Sequence, residues 1–329
     1  PSRWRALVAR EAPRVAMLTK VLITGASGYL GQHLLTSLAS DSSLKLHAAY
    51  GQLPSFVEDF GAMAECSSLD LQDEAAVRAL VGSIQPDVVI HLAAVSSPAV
   101  CEKEPESSQA INCPVALIEA LPAHACLVFL STDQVYGGET ANNLEGHGAH
   151  IAPVNAYGRS KLAAEKMTRE SWPHAQTVVL RSSIITGPPP PLSRTATRRL
   201  FLEFVEASLR GKETTTFYED EFRCPIAAVD LARHVLVLAA SKPGTARGVF
   251  NAGGPDRLSR VDMAKRAAAA LHISDRNVVA ARAASADRGV ASPLDISMDS
   301  SKLERATGVR ACGWELQVKR AAGVPYMPP

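Results

Sequence analysis

An excess of charge of either sign is missing from this chain. Its 34 Lys and Arg residues are balanced by 33 Asp and Glu residues, which leaves a formal net charge of +1. Proteins that bind nucleic acids or membrane surfaces through charge usually carry a basic patch or tail. We therefore expect no nucleic acid and no membrane as a partner.

Long apolar runs and paired cysteines are missing too. No apolar run approaches the roughly 20 residues that a membrane span needs. The sequence contains no C-x-x-C pair, and its six cysteines are scattered: Cys66, Cys101, Cys113, Cys126, Cys224 and Cys312. Several lie in apolar runs such as "ACLVFLS", which predicts reduced, partly buried thiols in a cytoplasmic protein.

The nine histidines show no metal-ligand spacing. His147 and His150 lie three residues apart in "EGHGAH", but that glycine-rich stretch is more typical of solvated loop residues. The sequence therefore predicts no metal site.

The N-terminal stretch "PSRWRALVARE" carries Arg3, Arg5 and Arg10, with only Glu11 acidic, and Met17 follows before the first predicted strand. This composition fits the end of an organellar transit peptide or an extension ahead of a start at Met17. An organelle is accordingly the alternative to the cytoplasm.

Strand-like and helix-like segments alternate along the first half of the chain. Apolar, mostly β-branched runs lie at 20–25, 44–51, 87–94, 126–132 and 177–183. Segments of helical period lie between them, at 29–40, 73–84, 107–121 and 155–171, the last stopped by Pro173. This alternation predicts an α/β fold with a doubly wound parallel (Rossmann-type) sheet and helices on both faces.

The alternation loosens after about residue 185. A proline run, "GPPPP", is followed by predicted helices near 196–211, 228–240 and 259–271 and by the stretch "GVFNAGG". We expect an extension at 1–17, a dinucleotide-binding domain at 18–185 and a smaller C-terminal substrate lobe at 186–329, with some chain exchange between the two domains.

The first predicted strand leads into "TGASGYLG", where Gly25, Gly28 and Gly31 have the spacing G-x-x-G-x-x-G. Glycine allows a tight turn and a close approach of backbone to a pyrophosphate, and the next helix offers its N-terminus to the phosphates. Because a strand precedes the motif and an amphipathic helix follows it, the context favours a dinucleotide site.

The choice between NAD and NADP stays open. The second strand ends in "AAYGQLP", with no acid at its tip for a ribose 2′-hydroxyl and no arginine nearby for a 2′-phosphate. The missing acid slightly favours NADP.

Tyr157 and Lys161 in "NAYGRSK" are four residues apart and therefore share one helical face. That spacing permits acid–base chemistry without requiring it, because such pairs are common by chance.

Five motifs in one order supply the context for this pair: "TGASGYLG", "LDLQD", "HLAA", "STDQVYG" and "YGRSK". Together they resemble the extended short-chain dehydrogenase/reductase family over residues 19–310. "STDQVYGG", "PVNAYGRSKLAAEK" and "PLDISMDSSKLE" most resemble its dTDP-4-dehydrorhamnose reductase branch. That branch also includes the regulatory β subunit of methionine adenosyltransferase, a partner protein with the same fold and cofactor site.

The resemblance implies a general acid, Tyr157, its partner Lys161, and a hydroxyl from Thr132 that completes a triad. An alternative for Thr132 is a turn cap. Asp70 matches the position that meets the adenine amino group, or else caps a strand end. The expected cofactor contacts are Gly25, Ser27, Gly28, Tyr29, Leu30, Gly31, Asp70, Leu71, Leu92, Ala93, Ala94, Tyr157 and Lys161.

Three further residues are candidates for substrate contact. Sugar-nucleotide dehydratases of this superfamily carry two acids after the threonine, whereas this chain has Asp133 and then Gln134, so elimination lacks its general base. Arg223 resembles the family's substrate-pocket arginine, with a surface ion pair as the alternative. His91 is expected to satisfy a buried hydrogen bond.

Two functions follow from these residues, and reduction of a substrate that is not a sugar nucleotide stays open as a third. The first is NAD(P)H-dependent reduction of a keto-sugar nucleotide, a small-molecule substrate. The second is a cofactor-binding regulatory or scaffold subunit with a protein partner. The intact Thr132, Tyr157 and Lys161 favour the enzyme, and a homo-oligomer is possible in either case.

Overall fold

The computed structural model describes residues 18–51, 55–146, 150–172, 176–191, 200–241 and 246–323. Several sequence predictions therefore lie outside the described residues. They concern the extension at 1–17, His147, the helix stop at Pro173 and the start of the helix near 196–211.

Seven parallel strands form the central sheet, in the order β3-β2-β1-β4-β5-β6-β11. They are β1 (Thr19–Thr24), β2 (Leu44–Tyr50), β3 (Glu65–Ser68), β4 (Val88–His91), β5 (Cys126–Thr132), β6 (Thr177–Ser182) and β11 (Gly248–Ala252). Short strands outside this sheet are β7 (Ile185–Thr186), β8 (Thr215–Tyr218), β9 (Phe222–Arg223), β10 (Ile226–Ala227), β12 (Leu258–Ser259) and β13 (Val278–Ala281). The strand order reverses between β1 and β4, and the predicted Rossmann-type fold is confirmed.

Twelve α-helices are seen in the described residues. They are α1 (Tyr29–Leu38), α2 (Phe56–Phe60), α3 (Glu74–Ile84), α4 (Pro98–Lys103), α5 (Pro105–Asn112), α6 (Val115–Ala120), α7 (Ala156–Ser171), α8 (Phe201–Arg210), α9 (Ala228–Ala240), α10 (Arg260–Leu271), α11 (Ser301–Thr307) and α12 (Trp314–Ala321). None of those in the described part of the chain is long and apolar enough to cross a membrane.

Alternate residues of each central strand enter two different cores. In β1, Val21 and Ile23 pack on one face with α1 and α9, whereas Leu22 packs on the other with α3 and α6. Side chains of a strand point alternately to the two faces, so a strand covered on both sides is apolar throughout. This is why "KVLITG" shows a continuous apolar run.

The sequence predictions need two corrections. The helix predicted at 107–121 is two helices, α5 and α6, because Pro114 has no N–H to continue the first one and disfavours helical backbone at Cys113. The stretch "GVFNAGG", assigned to the smaller lobe, supplies β11 at the edge of the central sheet beside β6. Helices α2 and α4, of five and six residues, were too short for a periodic signal.

A separate core lies in the C-terminal half of the chain. It joins α8, α10, α12 and β8 around Trp314, which is fully buried and donates its indole N–H to the carbonyl of Met263. The chain thus builds a second packed unit beside the central sheet.

Candidate dinucleotide and catalytic site

A cleft of about 480 Å³ opens at the carboxyl ends of the central strands. Ligands of open α/β sheets bind at this edge, where the strand order reverses. The cleft is lined by Thr24, Gly25, Ser27, Gly28, Ala49, Tyr50, Gly51, Ser68, Leu69, Asp70, Leu71, Gln72, Leu92, Ala93, Ala94, Val95 and Ile111. Most of the residues predicted to contact a dinucleotide therefore meet in one place.

The glycine turn brings backbone to the floor of this cleft. Gly25 has a φ of +69°, which a side chain rarely adopts, and a Cβ there would lie 2.6 Å from the Ala93 nitrogen. A Cβ on Gly31 would lie 2.5 Å from the Gly25 oxygen, so Gly31 serves helix–turn packing. At Gly28 the nearest atom to a Cβ is 3.1 Å away, and the open side faces the cleft.

Five predicted contacts do not line the cleft: Tyr157 and Lys161 of α7, and Tyr29, Leu30 and Gly31 at the start of α1. The hydroxyl of Tyr29 donates to the carbonyl of Pro188 at 2.9 Å, which ties α1 to the proline run. Leu30 is buried in the core. Tyr29, Leu30 and Gly31 belong to the first turn of α1 and can offer backbone N–H groups, whereas the side chains of Tyr29 and Leu30 serve packing.

Asp70 lines the cleft and also caps the turn after β3. It lines the cleft on an exposed side chain, and its Oδ1 accepts from the backbone N–H of Gln72 at 2.9 Å. The two alternatives therefore do not exclude each other.

Tyr157 and Lys161 lie in the first two turns of α7 and are buried, at 9% and 2% exposure. Tyr157 packs with Val95, a residue that lines the cleft. The ammonium of Lys161 lies 4.1 Å from the centroid of the Phe129 ring. Burial lowers the pKa of Lys161 to about 7, against a smaller opposing effect of Glu165.

A buried ion pair lies one helical turn beyond Lys161. Arg181 donates from Nη2 to Glu165 at 2.7 Å, and both side chains are at most 4% exposed. Ser131 donates to the same carboxylate at 2.5 Å. These bonds join α7 to β5 and β6, and so hold the Tyr157–Lys161 face against the sheet.

Thr132, at the end of β5, accepts from the backbone N–H of Gln134 at 3.2 Å, so it acts as a turn cap. Its hydroxyl also donates to Asp133 at 3.3 Å. Asp133 is 4% exposed and accepts from the hydroxyl of Ser183 at 2.8 Å. Burial raises the pKa of Asp133, opposed chiefly by Arg223.

The predicted surface ion pair of Arg223 was wrong, because this side chain is buried and makes no ion pair with the described residues. Its side chain is buried and donates to the carbonyls of Phe222, Leu294 and Pro293 at 2.8, 3.0 and 2.9 Å. We name residues 291–296 the strap. Arg223 holds the strap beside β9, since a buried guanidinium must satisfy its N–H groups and the strap supplies two of the acceptor carbonyls.

His91 makes the buried hydrogen bond that was expected. Its Nδ1 lies 2.7 Å from the Thr24 hydroxyl, and its ring stacks on Phe129 with centroids 5.6 Å apart. Burial lowers the pKa of His91 to about 3, so the ring stays neutral at physiological pH. His91 thereby fixes the ends of β4 and β1 beside the cleft.

Asn155 is a site residue that the sequence prediction missed. It is 1% exposed, caps α7 by accepting from the N–H of Gly158 at 2.9 Å, and donates to Gln134 at 2.8 Å. The signal was present, because Asn directly before a helical segment is a preferred N-cap.

The fold and the site define a Rossmann-type protein with the glycine turn and the Tyr/Lys helix of the extended short-chain dehydrogenases/reductases. Within that class the chain belongs to the RmlD substrate binding domain family, whose model matches residues 19–324. The membership predicted from the five motifs is thus confirmed.

Two kinds of protein are represented among the curated relatives. The chain is 28% identical over 288 residues to methionine adenosyltransferase 2 subunit beta of Danio rerio, covering 87% of this chain and 84% of that protein. It is 27% identical over 294 residues to the probable low-salt glycan biosynthesis reductase Agl14 of Haloferax volcanii, covering 87% and 91%.

Solved structures share the fold. A dTDP-4-dehydrorhamnose reductase of Clostridium acetobutylicum has a TM-score of 0.76 at 24% identity, covering 93% of this chain and 99% of that one. The Bacillus anthracis dTDP-4-dehydrorhamnose reductase, in complex with NADP, has a TM-score of 0.76 at 21% identity, covering 93% of this chain and 99% of that one. The UDP-glucose 4-epimerase of Thermus thermophilus, in complex with NAD, has 0.74 at 21%, covering 93% and 98%.

Proposed function

We propose that this protein is an NAD(P)H-dependent reductase of a keto-sugar nucleotide, with Tyr157 as the proton donor. The observation that supports it most is the burial of Tyr157 and Lys161 on α7, with Tyr157 packed on Val95, a residue that lines the glycine-floored cleft. A pure scaffold has no need of a tyrosine and a lysine buried at that position.

A nicotinamide dinucleotide fits the residues of the cleft. The turn at Gly25 and Gly28 would hold the pyrophosphate at the start of α1, and Asp70 would meet the adenine. Among the described residues that line the cleft, none is Arg or Lys, and the β2 tip is Tyr50 and Gly51. Neither of the charges that usually select NAD or NADP is thus in place, and both coenzymes have to be compared.

The chain's own residues supply the proton side of the reduction. A bound reduced nicotinamide supplies a hydride, and the carbonyl oxygen of the substrate then needs a proton. Tyr157 donates it, and the ammonium form of Lys161 favours the phenolate that remains. With a pKa of about 7, Lys161 carries this charge most fully below neutral pH.

Tyr157→Phe tests the proposal. The ring still packs, so we expect the dissociation constants for NADH and NADPH to stay within a few-fold. Single-turnover hydride transfer to dTDP-4-dehydrorhamnose should fall by about 10²-fold or more, the usual scale of general acid catalysis. The matched control is Tyr218→Phe, which removes a hydroxyl from the second lobe. Undiminished transfer by Tyr157→Phe would refute the assigned role.

A second candidate function is supported by the similarity to methionine adenosyltransferase 2 subunit beta. In that case the protein would regulate a partner, and Tyr157→Phe would leave the partner's activity unchanged. Gly28→Val, which fills the open side of the turn, would still remove dinucleotide binding. A partner assay with both variants separates the two functions.

A further inference from the structure

The side chain of Gln134 is held in one orientation by its neighbours. Asn155 Oδ1 faces the backbone N–H of Gly158, which can only donate, so this atom must be the amide oxygen. On the opposite side, Asn155 Nδ2 donates to the carbonyl of Ala291 at 3.0 Å, and a carbonyl can only accept. Two backbone groups therefore determine which way the Asn155 amide points.

The orientation of Asn155 sets that of Gln134. Asn155 Nδ2 also donates to Gln134 Oε1 at 2.8 Å, so the atom of Gln134 that faces Asn155 is its oxygen. The Gln134 amide nitrogen, with two protons, points elsewhere. No hydrogen bond joins this nitrogen to another described residue. The nitrogen is also absent from the fully buried polar atoms of the described residues that lack a partner. The Gln134 side chain is half-buried, and the described residues leave its amide protons available to a bound ligand.

Gln134 lies beside the residues of the proposed chemistry. It follows Thr132 and Asp133 at the carboxyl end of β5, and its backbone N–H bonds the Thr132 hydroxyl. The backbone carbonyl of Gln134 packs closely against the first turn of α7, since a Cβ on Gly158 would lie 2.2 Å from that carbonyl oxygen. Gly158 is the residue next to Tyr157. Asn155, which bonds Gln134, also donates to the strap at Ala291.

We propose that Gln134 is a specificity-determining residue that donates a hydrogen bond to an acceptor oxygen of the substrate, and that Asn155 positions it for this role. The substrate class is a keto-sugar nucleotide with a carbonyl or hydroxyl oxygen beside the reacting carbon; this part of the inference rests on the proposed function. A carboxylate at position 134 would present an acceptor instead. The fixed donor thus selects reduction substrates and disfavours proton abstraction.

Gln134→Glu and Asn155→Asp test the two parts. The first substitution keeps an oxygen for Asn155 but replaces the donor by an acceptor. The second keeps the α7 cap but removes the donor to Gln134 and Ala291. For dTDP-4-dehydrorhamnose we expect each variant to lower kcat/KM by about 10-fold or more, the scale for an unmatched polar contact. The dissociation constant for the coenzyme should change by less than about two-fold.

Gln109→Glu is the matched control, because it makes the same chemical change on an exposed position of α5. It should leave kcat/KM unchanged. If Gln134→Glu keeps the wild-type kcat/KM and coenzyme affinity, the specificity role is overturned.

A readout that needs no turnover separates this inference from the proposed function. In ¹⁵N-labelled protein, the Gln134 side-chain amide signal is identified by its loss in Gln134→Glu. The chemical shift of this signal should change in Asn155→Asp without any ligand. In the wild type it should change on addition of dTDP-rhamnose. An unmoved signal in Asn155→Asp overturns the assigned orientation. A wild type that reduces no keto-sugar nucleotide while the Asn155→Asp signal moves refutes the proposed function alone.

Discussion

At the scale of single residues, the site depends on buried polar groups that mostly have hydrogen-bond partners. Lys161 is buried without an ion-pair partner of its own among the described residues. At 2% exposure, it lies near an aromatic ring and near a carboxylate already paired to Arg181. An ammonium buried in this way loses hydration, and the lowered pKa of about 7 records that cost.

Lys161→Met should change how stability depends on pH. The folded pKa of about 7 lies below the ordinary 10.5, so the unfolded chain binds the proton more tightly between these values. The cost of burying Lys161 is therefore complete below pH 7 and is relieved as the pH rises toward 10.5. We expect the free energy of unfolding of Lys161→Met to exceed that of the wild type most at low pH. The difference should shrink as the pH becomes alkaline.

Urea unfolding of the coenzyme-free protein at about pH 6 and about pH 9 measures this gain. Lys166→Met, an exposed lysine of the same helix, should show no such pH dependence. Equal gains for Lys161→Met at both pH values would show that the pKa of this lysine is not depressed in the folded protein.

At the scale of elements, several polar contacts hold α7 in place, and two of them lie on either side of Tyr157 and Lys161 in the sequence. Asn155 caps its first turn, and the Glu165–Arg181 pair joins its third turn to β6. Helix propensity says nothing about where such a helix sits against a sheet, so these contacts decide the position of Tyr157 relative to the cleft.

Substitutions of Glu165 and Arg181 should cause strongly non-additive losses of stability, because the two side chains pair with each other in the core. Removing one partner, as in Glu165→Leu or Arg181→Met, leaves a buried charge alone and should cost about 3–5 kcal/mol in the free energy of unfolding. The double variant removes both charges, so we expect its loss to be clearly smaller than the sum of the single losses. Urea unfolding of the three variants measures the coupling. Losses that add within about 0.5 kcal/mol would contradict it.

At the scale of the whole molecule, the two halves of the chain share one core. Helix α9 covers the same face of the sheet as α1, and β11 completes the sheet beside β6. The C-terminal half therefore contributes to the first core as well as building its own around Trp314.

A fragment of residues 18–185 should not fold cooperatively. Without α9, the apolar side chains of β1, β4 and β5 on that face would be exposed, and β6 would become a bare edge. We expect far-UV circular dichroism with helical and strand content but no sharp urea transition, whereas the full chain unfolds cooperatively. A cooperative transition in the fragment would show that the first domain is independent.

Local patterns were sufficient for the class of fold and for most of the candidate site. The apolar runs of the central strands, the glycine spacing and the Tyr157–Lys161 spacing each depend on neighbours a few residues away, and such short-range constraints are visible in sequence. Pro114 shows the limit, since one residue divided a helix that periodicity had joined.

Only the folded chain decided the contacts between distant segments. The strap reaches Arg223 and Asn155 across about 70 and about 140 residues of sequence, and β11 finds β6 in the same way. Whether the Arg223 side chain faces solvent or is buried against the strap depends on which carbonyls the strap places beside it. No local pattern contains that information, because a buried donor is satisfied by whatever acceptor the tertiary fold places beside it.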